Sequence, residues 1–331
     1  MVGKNLSVLH PIVIAHRGAS GYRPEHTLAS YELAIGLGAD FIEPDLVSTK
    51  DGVLIARHEN EISETTDVAG HPEFADRRTV KRIDGREVTG WFSEDFTLAE
   101  IKTLRARERL PFRDRSFDGR FEVPTFAEVL ALARRKSAET GRTIGVYPET
   151  KHPSYFRSLG IPLEEPLLAE LRDAGYQGRT APVYIQSFEV RNLQELRKVT
   201  ALPLIQLLET AGQPWDFAVA GDARTYQDLA APAGLAEIAT YADGIGPDKR
   251  MIVPADPGGR LLPPTPLVDD AHRAGLLVHP WTFRGDGTFL AAEYAGDPER
   301  EYQQFFALGV DGLFSDFSDT AVGARERWRR G

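Results

Sequence analysis

There is no cysteine among the 331 residues. That single absence excludes disulfides, thiolate nucleophiles and Cys-ligated zinc. No apolar run approaches the roughly 20 residues that a membrane-spanning helix needs, so no stable bilayer insertion is expected. Positive charge is in deficit, with 39 Lys and Arg against 49 Asp and Glu and a formal net charge of −10. A nucleic-acid backbone requires a basic surface, and it is excluded as the main partner. A small anionic substrate is not excluded, because the field inside a cleft is set locally by metal and Arg. Several catalytic signatures are also missing. His58-Glu59-Asn60-Glu61-Ile62 lacks the second His of a zinc-protease helix, and there is no Gly-x-Ser-x-Gly elbow, Walker loop or Gly-x-Gly-x-x-Gly fingerprint. The segment Met1 to His10 has no apolar core of signal-peptide length. Either the protein is cytoplasmic, or a signal has been removed and a start Met added.

What is present is ordinary in bulk: 42% hydrophobic and 27% charged residues suit a globular protein with a large core. Strand-like apolar runs fall at 12–15, 41–47, 53–57, 143–147, 182–186, 203–208, 244–247, 276–279 and 312–315. Helical patterns separate many of them, at 27–38, 126–138, 163–174, 190–199, 235–242, 267–274 and 299–308. Thr125-Phe126-Ala127-Glu128 has the form of a capping box. Such alternation implies a parallel sheet, and about eight units imply a closed (β/α)₈ barrel, an α/β TIM barrel in one domain spanning 1–331. Nine strand candidates compete for eight places. The runs 41–47 and 53–57 are too close for a crossover helix, and Asp51-Gly52 is a hairpin signal, so that corner is expected to be irregular. Residues 59–122, after the third strand-like segment, break the alternation and show only one helical stretch, 97–104. They read as an insertion that caps part of the barrel mouth. Residues 248–266 read as a long rim loop.

The chemistry-bearing residues sit at strand ends, where α/β barrels place their sites. His16-Arg17-Gly18 is either a strand-to-loop junction or a phosphate grip with a proton carrier beside it. Glu43 and Asp45 are two apart on a strand and share a face. They are resolved either by salt bridges or by a hard divalent cation, with Glu149 as a third oxygen donor; Ca²⁺ or Mg²⁺ would then suit better than zinc. Lys151 is a phosphate contact or a structural partner of the acids. His58 closes another apolar run and is a candidate acid or base. Gln186, Phe188, Trp281 and Phe283 either shape a small pocket or pack the rim. Asp316 and Asp319 read as barrel-closing or helix-capping residues, with Asp319 as an N-cap.

These motifs resemble the glycerophosphodiester phosphodiesterase family. The resemblance rests on His16-Arg17-Gly18-Ala19-Ser20-Gly21-Tyr22, Pro24-Glu25-His26-Thr27, Glu43-Pro44-Asp45-Leu46-Val47, Thr49-Lys50-Asp51-Gly52 and His58. It continues through Tyr147 to Lys151, Tyr184 to Phe188, Tyr241 to Asp248, Val278 to Thr282 and Gly312 to Phe317, so it covers nearly the whole chain in order. The secreted bacterial branch is the most similar, and it carries a comparable insertion after the second His. The resemblance implies a metal-dependent hydrolysis of glycerophosphodiesters to sn-glycerol 3-phosphate and an alcohol, in a periplasmic or secreted protein. By the same resemblance His16 and His58 are the acid/base pair, Arg17 holds phosphate, and Glu43, Asp45 and Glu149 bind one divalent cation. Lys151, Gln186, Phe188 and Trp281 are the candidates for substrate contact. The nucleophile is either water or the glycerol 2-hydroxyl. Two departures stand out: Pro44 replaces the usual Leu or Gln, and Arg57 precedes His58 where an apolar residue is usual. A phospholipase D-like enzyme acting on sphingomyelin or lysophospholipid is the alternative of the same class. A non-catalytic surface-binding barrel is the alternative of another class. A monomer or homodimer is expected.

Overall fold

In the computed structural model, which describes residues 10–330, the alternating runs form a ring of parallel strands. The reading of the N-terminal segment concerns residues 1–9 and lies outside the described residues. In chain order the strands are β1 (Ile12–His16), β2 (Phe41–Glu43), β3 (Asp45–Ser48), β4 (Leu54–Ala56), β5 (Thr79–Ile83) and β6 (Arg86–Gly90). They continue as β7 (Gly145–Val146), β8 (Glu149–Thr150), β9 (Ile185–Ser187), β10 (Leu204–Leu208), β11 (Gly244–Pro247), β12 (Leu277–Val278) and β13 (Gly312–Ser315).

Parallel ladders give two arcs, β13-β1-β2-β7 and β12-β11-β10-β9-β8-β3. The arcs belong to one ring, because β2 and β3 are one strand interrupted at Pro44, and β7 and β8 one strand interrupted at Pro148. Proline has no N–H to give to a ladder. Its carbonyl still serves: Pro44 accepts from the Glu149 N–H and Pro148 from the Gln186 N–H, each at 2.9 Å. The ring closes between β12 and β13, where the Asp311 N–H reaches the Val278 carbonyl and the Phe314 N–H the Pro280 carbonyl, both at 3.0 Å. With each interrupted strand counted once and β4, β5 and β6 outside, the ring has the eight staves of a (β/α)₈ barrel.

The surplus strand candidate is β4, which runs antiparallel to β3 with Leu46 opposite Ala56 and Ser48 opposite Leu54. Asp51-Gly52 turns the hairpin, and Gly52 takes φ +79°, where a side chain would be strained. Beyond Pro44, then, the barrel strand exchanges β1 for β4 as its neighbour. That exchange brings Arg57 and His58 to the barrel mouth.

Helix Phe126–Thr140 opens on the Thr125/Glu128 capping box and stops at Gly141, at φ +67°. The stretch expected to be helical over 97–104 forms only one helical turn, Leu98–Ile101, although its Thr97/Glu100 capping box is present. Thr103 Oγ1 donates to the Glu100 carbonyl at 2.7 Å and competes with continuation of the helix. Asp319 is not an N-cap: helix Ser318–Trp328 starts after Phe317 with no side-chain cap, and Asp319 accepts the Tyr22 hydroxyl at 3.0 Å. Phe283 is not a pocket residue either. It is fully buried, stacked on Tyr302 at 5.3 Å and edge-on to Phe305 at 4.8 Å, inside the layer between barrel and helices. A separate plug of Ile14, Tyr147, Ile205 and Phe314 fills the barrel itself.

Residues 59–122 hold the β5–β6 hairpin, turned at Asp84-Gly85, and reach across the rim. There Arg109 Nε donates to Glu25 at 2.9 Å, and Arg113 donates to the Ser20 carbonyl at 3.0 Å. Among the described residues no helix is long and apolar enough to cross a membrane.

Candidate active site

The ends of β1, β2/β3, β4 and β7/β8 surround a cavity of about 350 Å³ whose lining includes His16, Arg17, Glu43, Asp45, His58 and Glu149. Lys151, Gln186, Phe188 and Trp281 line the same cavity, so the fold brings together every candidate named from the sequence except Phe283 and the two aspartates of the last strand end.

His16 ends β1. Its Nδ1 lies 2.6 Å from Asp316 Oδ1, while the other carboxylate oxygen accepts from Arg113 at 2.6 Å and Arg284 at 3.1 Å. An ionised carboxylate on Nδ1 fixes the tautomer with Nε2 unprotonated. Burial, and then the Arg17 charge, push the imidazole down to about 4, so it is neutral near pH 7. His58 has the same pairing in a more open setting, with its side chain 32% and that of Glu59 45% exposed. Its Nδ1 lies 3.0 Å from Glu59 Oε1, and burial followed by Arg17 and Lys151 pushes it down to about 3.

Arg17 follows at φ +59°, a left-handed conformation that costs a non-glycine residue about 1–2 kcal/mol. The strain directs its N–H to Glu43 Oε2 at 2.8 Å and its guanidinium to Glu25, with Nη1 contacts of 3.0 and 3.2 Å. Nη2 has no protein partner among the described residues. The residue is 5% exposed and lines the cavity, so a charged fork faces it from a buried position.

Glu43, Asp45 and Glu149 converge. Each offers an oxygen within 4.8 Å of the others, and all three side chains are buried. Two observations fit a cation at this point. Asp45 Oδ1 is buried without a hydrogen-bond donor, which is costly for a carboxylate oxygen. Burial and the mutual repulsion with Asp45 also push Glu43 well above the ordinary carboxylate range, and burial pushes Glu149 up to about 8 although Lys151 opposes it. A divalent cation among hard oxygen donors relieves both. Asp45 stays low against its burial because His26 Nε2 lies 2.9 Å from Oδ2.

A family model described as the Glycerophosphoryl diester phosphodiesterase family matches residues 16–320. The chain belongs to this family. Glycerophosphodiester phosphodiesterase GDPD6 of Arabidopsis thaliana is 39% identical over 95% of this chain and 86% of its own length. The glycerophosphodiester phosphodiesterase of Haemophilus influenzae is 32% identical over 94% of this chain and 88% of its own. Among solved structures, the glycerophosphodiester phosphodiesterase of Agrobacterium tumefaciens superposes with a TM-score of 0.59 at 20% identity, over 95% of this chain and all of that one (100%). An Oleispira antarctica phosphodiesterase in complex with the product sn-glycerol-3-phosphate gives 0.61 at 20% identity, over 96% and 97% of the two chains. Like its relatives, this glycerophosphodiester phosphodiesterase is an enzyme.

Several residues of this enzyme's site had a different, an open or no role in the sequence. Asp316 is the His16 partner rather than a barrel-closing or capping residue, and the signal was its place at the end of the strand that flanks β1. Glu25 and His26 sit in the Pro24–Thr27 motif and brace Arg17 and Asp45; His26 takes φ +55° and is fully buried, with Nδ1 2.7 Å from the Tyr31 hydroxyl. Arg57 is 1% exposed and donates to the carbonyls of Ala56, Thr65, Glu25 and His26 at 2.6–3.1 Å. It ties the β4 end to the Glu25–His26 loop and to the insertion. An apolar side chain in its place would leave the carbonyls of Ala56, Glu25 and His26 bare, while that of Thr65 keeps the Arg107 N–H at 2.9 Å. Lys151 pairs with Glu149 at 3.0 Å and lies 3.5 Å from His58 Nε2, so it belongs both to the acid cluster and to the cavity wall.

Proposed function

We propose that the protein hydrolyses sn-glycero-3-phospho-alcohols such as glycerophosphocholine to sn-glycerol 3-phosphate and the free alcohol. The observation that carries this reading is a single cavity holding two imidazoles, each with a carboxylate on Nδ1, a guanidinium fork and a converging carboxylate triad. Glu43, Asp45 and Glu149 hold one divalent cation, Ca²⁺ or Mg²⁺, which supplies charge neutralisation to the phosphoryl oxygens when bound.

The chain's own groups divide the remaining work. Arg17 Nη2 binds a non-bridging phosphate oxygen, which a planar, permanently charged fork does better than an ammonium. His16 Nε2 takes the proton of the attacking oxygen, either that of water or that of the glycerol 2-hydroxyl, in which second case water then opens the cyclic phosphate to sn-glycerol 3-phosphate, and Asp316 stabilises the imidazolium that results. A new P–O bond forms as the bond to the head-group oxygen breaks, and His58 gives that oxygen a proton. Both imidazoles are held down by burial and then by Arg17, and the negative charge of a bound phosphodiester offsets the Arg17 part, raising them toward the range where one accepts and the other donates. Gln186, which donates to Glu43 at 3.2 Å, keeps that carboxylate aimed at the cation position.

The test is hydrolysis of glycerophosphocholine with excess Mg²⁺ or Ca²⁺, read as release of sn-glycerol 3-phosphate. The reading requires turnover that is abolished by chelation and cut by orders of magnitude in His16→Ala and His58→Ala. Full activity of His16→Ala contradicts the assignment. Release of a cyclic phosphate from sphingomyelin or lysophosphatidylcholine, with no action on glycerophosphocholine, replaces the substrate class.

A further inference from the structure

Beside the catalytic cavity lies a second one of about 550 Å³. The two share Glu59, Glu149, Lys151, Phe188 and Glu209, so they adjoin at these residues. Phe188, Tyr226 and Trp215 give the side cavity an aromatic lining, with Trp281 behind Phe188 in the catalytic cavity. Phe188 sits between Trp281 and Tyr226, with ring centroids at 5.8 and 6.1 Å and near-perpendicular planes of 87° and 76°. Trp215 forms the far side, where the β5–β6 turn abuts it: a Cβ on Gly85 would lie 2.8 Å from its ring.

The charges around this space do not balance. His152 is claimed by Asp84 at 2.6 Å and Glu59 at 2.9 Å, and Lys151 by Glu149. Arg86 lines the cavity from the exposed side of the hairpin, but the carboxylates of Glu59, Glu61, Asp84, Glu149, Glu189 and Glu209 still outnumber it together with Lys151 and His152. Glu189 and Glu209, which face the aromatic wall, have no ion pair among the described residues. Glu189 is 4% exposed and accepts only from Ser154. Glu209 is half-buried directly after β10 and lines both cavities. Burial pushes Glu189 up to about 7 and Glu209 upward, the state of carboxylates that lack a counter-cation. Aromatic faces beside uncompensated carboxylates form a surface suited to a poorly hydrated organic cation. A membrane or polyanion would meet the wrong charge here.

We propose that the side cavity is the subsite for the leaving alcohol, and that it selects an ammonium-bearing head group through Glu209, Glu189 and the rings of Phe188, Tyr226 and Trp215. This rests on the phosphodiesterase reading, because the head group is placed by the phosphate in the neighbouring cavity. The adjacency allows that placement: Phe188 and Glu209 line both spaces, so the aromatic one borders the position of the leaving alcohol.

The experiment compares two diesters of sn-glycerol 3-phosphate that differ only in charge: the choline ester and its carbon isostere, the 3,3-dimethylbutyl ester. The wild-type protein with excess cation is expected to favour the choline ester about tenfold or more in kcat/KM. In Glu209→Gln, which keeps the side-chain shape, the ratio falls to within about threefold of one, and Trp215→Ala lowers it through the ring contribution. A wild-type ratio near one, or a ratio unchanged in both variants, overturns the subsite. Hydrolysis of neither ester instead overturns the phosphodiesterase reading, and the subsite falls with it.

Discussion

Asp316→Asn separates the two roles a carboxylate could play beside His16. In the native protein one oxygen lies 2.6 Å from His16 Nδ1, and the other is shared by Arg113 and Arg284. Asparagine keeps the shape but can turn its NH₂ toward Nδ1. The imidazole then carries its proton on Nε2, where the base must be free. In a serine-protease triad the same inversion costs about 10⁴ in turnover, and we expect a loss of roughly 10²–10⁴ in kcat/KM here. Stability changes far less. Arg113 keeps Asp286 at 2.6 Å, so only Arg284, 22% exposed at its side chain, loses its anion, a cost of about 1–3 kcal/mol. The assay is kcat/KM on glycerophosphocholine with saturating cation, beside a thermal melt of the same sample. The sign with pH is fixed as well. The Asp316 carboxyl would be raised by burial, but the His16 hydrogen bond and the guanidinium charges outweigh this and hold it well below its ordinary range. Its stabilisation is therefore complete above about pH 4 and is lost as pH falls through the folded value, a loss that the Asn variant lacks. A folded Asp316→Asn protein with kcat/KM within about threefold of wild type refutes the reasoning.

Glu149 gives a prediction of the opposite sign. Raised to about 8 without a cation, it favours the folded state while protonated, and that contribution is lost as pH rises from about 4.5 to about 8. The cation-free protein should thus melt lower at pH 8 than at pH 6, with Mg²⁺ or Ca²⁺ restoring it most at the higher pH; a melt that rises with pH without cation counts against the carboxylate cluster. Glu43→Gln should weaken cation binding about 10–100-fold by calorimetry, and unchanged affinity would remove Glu43 from the ligand set. Arg57→Leu strips the donor from the buried carbonyls of Ala56, Glu25 and His26, so a melting loss of several degrees and a fall in kcat are expected together, from about 1–3 kcal/mol per bared group less the relief of burying a charge. An Arg57→Leu protein as stable and active as wild type would show that the clamp is dispensable. Gly85→Ala places a methyl against Trp215 at φ +79°, and the hairpin should lose about 1 kcal/mol or more, read as local hydrogen exchange.

The barrel was legible because short apolar runs and helical patterns alternate along the chain, and each run forms a stave or, once, a hairpin arm. The surplus run showed itself by its spacing: five residues between 47 and 53 cannot carry a crossover. The triad was legible as well, since Glu43 and Asp45 share a face two residues apart. What stayed hidden depends on ring closure. Asp316 lies 300 positions from His16 and meets it only because β13 is the neighbour of β1. Arg113 reaches the same carboxylate from an insertion without periodicity, so nothing local announces it. Arg57 read as a departure from pattern, and its four carbonyl partners explain why a guanidinium stands there. Phe283 went the other way: an aromatic at a strand end looks the same in sequence whether it lines a pocket or fills a core.

Everything proposed for catalysis depends on one cavity assembling cation, phosphate and two proton carriers. A crystal structure with sn-glycerol 3-phosphate and Mg²⁺ or Ca²⁺ tests this assembly. The ion is expected on Glu43, Asp45 and Glu149, with the phosphate on Arg17 between the Nε2 atoms of His16 and His58. An ion held by other residues, or a phosphate seated away from Arg17, contradicts it.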